Sequence, residues 1–390
     1  MRPLNVSDYR ELARRRLPRG VFEYVDRGTE DEVAMRALRD SLDALKLVPK
    51  VLADVASIDL STQVFGKAQA LPVIVAPTAM AGLLWYDGEV ALARAARDAG
   101  IPFCISTQSI TSIEAIAASA PAADLWFQLY VWENRGLTQD LLSRVRGAGV
   151  ETLVLTADTP ASPKKEWNVR NGFSIPIVPS LRAGMDVALH PRWLARVLLR
   201  HLLRTGMPTY AHYPEAFKTR ITRSAVTSDL RIDNRLTWDD LRELRRRWPG
   251  RLVVKGILGL DDAQRAHDCG ADGIVVSSHG GRNLDSAPSP IDVLPAIADR
   301  LAARLTVLAD SGIRRGSDIV KYLASGAQAV MIGRALLYGI AAGGEAGAVD
   351  VLALLRDELE RTLAFLGEPE ARNLSSENLR RSHSLAQRAT

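Results

Sequence analysis

Residues 273–285 carry the side chains of this chain that are best suited to chemistry. The segment opens with a short apolar run, 273–276, which is too short and too β-branched for a helix and so predicts a buried strand. His279 follows the strand, and two glycines after it allow a sharp turn or the close approach of a planar ligand. Arg282 then offers a planar cation that suits a carboxylate. A titratable base beside such a cation predicts chemistry on a small acid.

Eight apolar runs alternate with helical patterns from residue 71 onwards and would position these groups. The runs are 71–75, 102–106, 126–130, 152–156, 252–255, 273–277, 305–309 and 329–332, and helical patterns between them include 89–99, 137–147, 260–269 and 318–325. Eight strand–helix units over about 250 residues are typical of an α/β (β/α)8 TIM barrel. A doubly wound open sheet is the alternative, but no Gly-x-Gly-x-x-Gly follows an early strand.

Polar residues follow most of the predicted strands, at the end where such barrels hold their active site. The residues at these positions are Pro77, Thr78, Ala79, Ser106, Gln128, Tyr130, Thr156, Asp158, Lys255, Ser277, His279, Asp310, Gly312, Arg314, Gly333 and Arg334. The loops after the seventh and eighth strands, 310–316 and 333–334, match the usual phosphate site of the fold. An ordinary turn with surface arginines is the weaker interpretation of those loops.

The remaining strand ends favour a flavin over a nicotinamide. Four neutral hydrogen-bonding side chains could line the edge of an isoalloxazine ring, and Lys255 could place a positive charge beside it. These four side chains are Thr78, Ser106, Gln128 and Thr156. Asp158 could hold the imidazole of His279 and stabilise its cationic form. His212, His267 and His383 carry no such context and are predicted to lie on the surface.

We predict one domain that spans residues 1–390, with the barrel at 71–366. Three segments lie outside this barrel. Residues 1–70 form an N-terminal helical cap with helices near 8–15 and 31–42, 171–236 form a long insertion after the fourth strand, and 367–390 form a tail. A loop as long as this insertion is usually functional or disordered.

The composition is that of a soluble globular protein, with 47% hydrophobic and 24% charged residues. Two cysteines, Cys104 and Cys269, show no metal-ligand spacing and favour a reducing compartment, so we expect a cytoplasmic protein without a metal. The net charge of +5 is modest, and we expect no nucleic-acid partner.

These motifs resemble the FMN-dependent α-hydroxy-acid oxidase/dehydrogenase family over almost the whole chain. The most specific pair is 277–282, read as Ser-Ser-His-Gly-Gly-Arg, followed by 310–316, read as Asp-Ser-Gly-Ile-Arg-Arg-Gly. The resemblance implies FMN-dependent oxidation of an (S)-2-hydroxy acid to a 2-oxo acid. Mandelate-type substrates are favoured, and L-lactate or another aliphatic acid is the alternative. Quinone or oxygen would accept the electrons, and the resemblance implies a homotetramer.

The resemblance also implies roles for individual residues. His279 would be the active-site base paired with Asp158, and Tyr130 would contact the substrate hydroxyl. Arg282 and Tyr24 would bind the carboxylate. Lys255 would stabilise the reduced ring. The ribityl chain and phosphate would be held by Asp310, Gly312, Arg314, Gly333 and Arg334.

Two positions depart from the family pattern. Lys165 stands where a second substrate-binding arginine is usual, which keeps the charge but loses the bidentate fork. Ala79 stands where the mandelate-like dehydrogenase pattern has glycine, as in oxidase members, which leaves the acceptor open. An enzyme resembling IMP dehydrogenase would need a nucleophilic cysteine in a mobile loop, and Cys104 lies inside a predicted strand.

The insertion contains a basic stripe that recurs every four residues, and no acidic residue occurs between Val187 and Pro214. The stripe comprises Arg192, Arg196, Arg200 and Arg204, with Trp193, Leu194, Val197, Leu198 and Leu202 supplying apolar faces. This pattern favours an amphipathic helix on an anionic membrane surface, on the inner face of the cell membrane. A helix docked on the barrel or at a subunit interface is the alternative.

Overall fold

Eight parallel strands close into a barrel in the computed structural model, which describes residues 3–173, 180–218 and 228–382. The strands are β1 Leu45–Leu47, β2 Thr62–Val64, β3 Lys67–Gln69, β4 Val73–Val75, β5 Phe103–Ser106, β6 Leu125–Leu129, β7 Thr152–Thr156, β8 Arg251–Ile257, β9 Gly273–Val276, β10 Thr306–Asp310, β11 Ala329–Ile332 and β12 Leu379–Arg381. The barrel runs from β4 to β11 in sequence order and closes where β11 pairs with β4. The predicted (β/α)8 barrel is confirmed, with each strand where an apolar run predicts it.

Helices surround the barrel and extend beyond it. They are α1 Val6–Arg16, α2 Arg19–Asp26, α3 Val33–Ala44, α4 Gly88–Asp98, α5 Ile113–Ser119, α6 Arg135–Gly147, α7 Glu166–Asn171, α8 Leu181–Ala188, α9 Pro191–Trp193, α10 Leu199–Arg204, α11 Trp238–Arg247, α12 Leu260–Asp268, α13 Pro290–Leu301, α14 Gly316–Ala324 and α15 Arg334–Leu366. A π-helical turn, Leu194–Leu198, joins α9 to α10, so 191–204 forms one continuous helical segment.

The barrel interior is a packed apolar core. Every barrel strand contributes to it, and the hairpin of β2 and β3 adds Val64 and Phe65 from below. The Phe65 ring lies 5.7 Å from that of Trp126. Because side chains fill the barrel interior, a ligand can bind only at an end of the barrel and not inside it.

The N-terminal segment contributes directly to the upper end of the barrel. Sequence periodicity predicts α1 and α3 but misses the short α2, which carries Tyr24. Asp26 at the end of α2 is 5% exposed and accepts hydrogen bonds from Arg10 at 2.6 Å and from the Tyr338 hydroxyl at 2.7 Å. This buried carboxylate ties α2 to α1 and α15.

The long helix α15 has 33 residues and passes a length and hydropathy test for a membrane span, but most of its apolar window is buried inside the protein. It packs on α1, α4 and α14 and bends at Gly344, whose φ is 63°. We therefore assign α15 to the protein core. The C-terminal tail reaches back as β12, which pairs antiparallel with β1.

The insertion docks one face of the 191–204 segment on the barrel. Trp193 donates from Nε1 to the Leu83 carbonyl at 2.7 Å, Val197 is buried, and His201 Nε2 lies 3.0 Å from the Gly82 carbonyl oxygen. Of the residues predicted to supply apolar faces, Trp193 and Val197 therefore face the barrel, as the docked-helix alternative expects. The prediction of a surface His212 is wrong, because this imidazole is 1% exposed and accepts from the Ile113 N–H at 3.0 Å. The prediction for His383 lies outside the described residues.

Candidate active site

A cavity of about 870 Å³ opens at the carboxyl ends of the barrel strands. Most of the predicted site residues line it. These residues are Tyr24, Pro77, Thr78, Ala79, Ser106, Gln128, Tyr130, Thr156, Lys165, Lys255, His279, Arg282, Asp310, Gly312, Arg314, Gly333 and Arg334. Two others, Asp158 and Ser277, lie behind the lining and support it through hydrogen bonds.

His279 and Asp158 form a hydrogen-bonded pair at the cavity wall. His279 Nδ1 lies 2.9 Å from Asp158 Oδ1, which leaves Nε2 for a ligand. His279 has a φ of 55°, a left-handed conformation that turns the chain immediately after β9, and its N–H donates to Ser277 Oγ at 3.0 Å. The strand end therefore fixes both the position and the orientation of the imidazole.

Asp158 is held in place by close backbone packing. Gly256 has a φ of 107°, and a Cβ on it would lie 2.4 Å from the Asp158 Cβ. Asn283 donates from Nδ2 to the Asp158 carbonyl at 2.7 Å, and Thr159 donates to the carboxylate at 3.2 Å. Only glycine at position 256 allows the carboxylate to approach the imidazole in this way.

The electrostatics of this pair suit a general base. Burial lowers the pKa of His279 below its usual 6.5, while the Asp158 charge acts in the opposite direction. Burial alone would raise the pKa of Asp158, but the charges of His279 and Lys255 outweigh it and lower that pKa to about 2. At neutral pH the imidazole is therefore unprotonated and lies beside a carboxylate that would stabilise its cation.

Lys255 projects into the cavity floor from β8. Its Nζ donates to Ser277 Oγ at 2.9 Å and lies 3.2 Å from Asp310 Oδ2. Burial would lower the pKa of Lys255, but Asp310 and Asp158 more than compensate and raise it. The ammonium therefore remains charged at the centre of the strand ends.

Neutral hydrogen-bonding groups line the opposite side and fit a flavin ring. Gln128 Oε1 accepts from Ser106 Oγ at 3.2 Å and from the Thr107 N–H at 3.3 Å. Its Nε2 is buried and has no hydrogen-bond partner among the described residues. Because a buried amide donor without a partner is costly, this Nε2 indicates an acceptor atom on a bound molecule.

An arginine cluster at the rim fits an anion. The pKa of Arg334 is lowered to about 10, first by burial and then by the charges of Arg282 and Arg314. Arg334 also donates to the Gly280 carbonyl at 2.7 Å, and α15 begins directly after Gly333 without a side-chain cap. Uncompensated cations beside a helix N-terminus form a phosphate-binding environment.

A second group of cations lies near Tyr24. Arg282 donates from Nη1 to the Tyr24 carbonyl at 2.8 Å and to the Arg27 carbonyl at 3.1 Å, which fixes its guanidinium. Its Cζ lies 5.3 Å from the Tyr24 ring centroid, and Lys165 Nζ lies 5.5 Å from the same centroid. This arrangement can receive a carboxylate beside His279.

Part of the aromatic lining of the cavity is not predicted from the sequence. Tyr210 and Tyr213, from the insertion, line the cavity with ring centroids 5.0 Å apart. Tyr24 makes an edge contact with Phe173 at 5.6 Å, and Tyr130 is a further lining tyrosine, whose pKa is raised to about 12 mainly by burial. No local signal marks Tyr210 or Tyr213, because their role depends on how the insertion folds back.

The known proteins that are similar to this chain are dehydrogenases by name. The profile of the family described as FMN-dependent dehydrogenase matches residues 13–381. (S)-Mandelate dehydrogenase of Pseudomonas putida is 43% identical over 375 residues, which cover 96% of this chain and 93% of that protein. L-Lactate dehydrogenase of Caulobacter vibrioides is 42% identical over 369 residues, covering 93% and 94%. A crystal structure of the monotopic membrane protein (S)-mandelate dehydrogenase has a TM-score of 0.92 at 43% identity, covering 98% of this chain and 100% of that one.

Proposed function

The chain belongs to the FMN-dependent dehydrogenase family, and we propose that it oxidises an (S)-2-hydroxy acid to the 2-oxo acid. The observation that carries this proposal is the His279–Asp158 pair at 2.9 Å beside the fixed guanidinium of Arg282 in one cavity. A base and a carboxylate-binding cation that line the same cavity suit a small acid that carries an oxidisable hydroxyl beside its carboxylate.

The described residues divide the reaction between them. Arg282, with Lys165, binds the substrate carboxylate, and the Tyr130 hydroxyl, protonated at neutral pH, contacts the substrate hydroxyl. His279 accepts a substrate proton at Nε2, and Asp158 stabilises the resulting imidazolium through Nδ1. When bound, FMN would supply the acceptor for the two electrons and for the second proton that leave the substrate.

The cofactor site follows from the same lining. Gln128, with Ser106, Thr78 and Thr156, would hydrogen-bond the ring, and Lys255 would place its charge beside it. Asp310, Gly312, Arg314, Gly333 and Arg334 would hold the ribityl chain and phosphate, with Ser277 orienting Lys255 and His279 from behind.

We favour a mandelate-type aryl substrate because the cavity wall is aromatic, with Tyr24, Tyr130, Tyr210 and Tyr213 all in its lining. L-Lactate is the second candidate, supported by the similarity to L-lactate dehydrogenase. Anaerobic flavin bleaching by (S)-mandelate and by L-lactate tests both. Faster bleaching by mandelate is expected. If no 2-hydroxy acid bleaches the FMN-loaded protein, the proposed function is wrong.

We also propose a peripheral association with the inner face of the cell membrane through the insertion. Leu199, Leu202 and Leu203 are exposed on the 191–204 segment, as are Leu181, Met185 and Leu189 before it. The four arginines of the basic stripe lie on the same segment and are also exposed. Each arginine near an anionic surface contributes about 1 kcal/mol of binding free energy. Together with the insertion of the apolar side chains, this would give reversible, salt-sensitive membrane binding. The similar crystal structure of a monotopic membrane protein supports the proposal.

Co-sedimentation with anionic liposomes tests the membrane proposal. Leu199→Ser with Leu203→Ser should reduce pelleting, while Phe365→Ser, an exposed apolar residue on α15, should not. Equal pelleting of all forms, or none by the intact protein, would contradict it. At a membrane, we propose quinone as the electron acceptor. Oxygen is the alternative acceptor, which Ala79 favours, and a measurement of oxygen uptake during turnover tests it. The homotetramer stays a prediction for mass measurement in solution.

A further inference from the structure

Lys165 is a cation without an anionic partner. It immediately precedes α7, and its side chain lies in the cavity wall. No carboxylate or carbonyl among the described residues pairs with its Nζ, which lies 5.5 Å from the centroid of the Tyr24 ring. The adjacent Lys164, by contrast, pairs with Glu166 at 2.9 Å.

Among the described residues, the charged side chains that act on Lys165 are both positive. Arg282 comes from the loop after β9, Arg334 from the start of α15 and Tyr24 from α2. On its own element, Glu166 is occupied by Lys164 and Arg170. Burial, followed by the charges of Arg282 and Arg334, lowers the pKa of Lys165 to about 7. Near neutral pH, part of the unliganded population therefore lacks this proton.

We propose that Lys165 takes up a proton as the substrate carboxylate binds, so that affinity for 2-hydroxy acids, but not for their neutral derivatives, falls as the pH rises through neutrality. The inference rests on the proposed function, because it needs a carboxylate between Arg282 and Lys165. It makes Lys165 a specificity-determining residue that an arginine, which stays charged at all relevant pH values, cannot reproduce.

The direction follows from linkage. A bound carboxylate favours charged Lys165 and raises its pKa, so the complex holds more protons than the free enzyme between the two pKa values. Above the pKa of free Lys165 the uptake approaches one proton, and the Kd of an acid rises by up to about 10-fold per pH unit. A neutral amide gains nothing from the proton and should bind with a flat pH profile.

Calorimetry on the oxidised, FMN-loaded enzyme tests this without turnover. Phenylacetate, an aryl acid without the oxidisable hydroxyl, is titrated at pH 8 in two buffers of different ionisation enthalpy, and the difference in heat counts the protons. Phenylacetamide is the neutral control. We expect close to one proton with the acid and none with the amide.

Lys165→Arg is the conservative variant. It should bind phenylacetate with a flat Kd and without proton uptake between pH 7 and pH 9. Uptake that persists in this variant would belong to another group, such as His279. Lys165→Met should bind the acid weakly and also lose the uptake. The flavin spectrum verifies folding. If Lys165→Arg takes up as many protons as the native enzyme while 2-hydroxy acids still bleach the flavin, this inference alone fails. If no aryl acid binds and no 2-hydroxy acid bleaches the flavin, the proposed function fails with it.

Discussion

Asp158→Asn should slow flavin reduction far more than it weakens substrate binding. The carboxylate lies 2.9 Å from His279 Nδ1, and its side chain is only 14% exposed. A charge pair at about 4 Å with an effective dielectric constant near 20 is worth at most about 4 kcal/mol, and about 2 to 4 kcal/mol is reasonable for a delocalised imidazolium. Since about 1.36 kcal/mol is a factor of ten in rate, the expected loss is about 30- to 1000-fold.

Anaerobic stopped-flow measurement of flavin bleaching, with the best 2-hydroxy acid, tests this. Thr159→Val is the matched control, because it removes one hydroxyl donor that lies 3.2 Å from the same carboxylate and keeps the carboxylate charge. Its loss should stay within about 10-fold. The Asp158→Asn variant should also shift the acid limb of kcat/KM to lower pH, because Asp158 raises the pKa of His279. Bleaching within threefold of the native rate in Asp158→Asn would refute the role of the charge.

Three further predictions follow from the same geometry. His279→Gln should keep its flavin and lose about 10²- to 10⁴-fold in reduction rate, and in the native enzyme kcat/KM should rise with pH through a pKa below 6.5; an unchanged rate would contradict the assignment. Gly256→Ala should lower both the Tm and the flavin reduction rate, because its Cβ would lie 2.4 Å from that of Asp158. A native Tm together with a native reduction rate would contradict the packing argument. Arg314→Met should weaken FMN binding by roughly 10- to 150-fold in apoprotein titrations if it contacts phosphate, whereas Arg315→Met, which loses only the pair with Glu358 at 2.7 Å, should not; equal losses would place the phosphate elsewhere.

The sequence predicts the site where barrel geometry alone determines position. His279, Lys255 and Asp310 follow apolar strands, and the carboxyl ends of parallel barrel strands must meet, so their proximity needs no further information. Gly256 illustrates the limit. Nothing local distinguishes it from other glycines, because its role arises from contact with Asp158 across the barrel wall. Tyr210 likewise reaches the cavity only through the path of the insertion.

The insertion shows why a sequence period can predict a helix without predicting which face docks. Arginines recur at 192, 196, 200 and 204, and the docked residues recur with the same period at 193, 197 and 201. The choice between faces depends on partners elsewhere, since Trp193 Nε1 and His201 Nε2 meet the carbonyls of Leu83 and Gly82. These carbonyls belong to the turn that follows Ala79 in the cavity lining. A membrane that contacts the exposed face of this helix would therefore lie on the side of the barrel where Ala79 lines the cavity, from which the proposed quinone could approach.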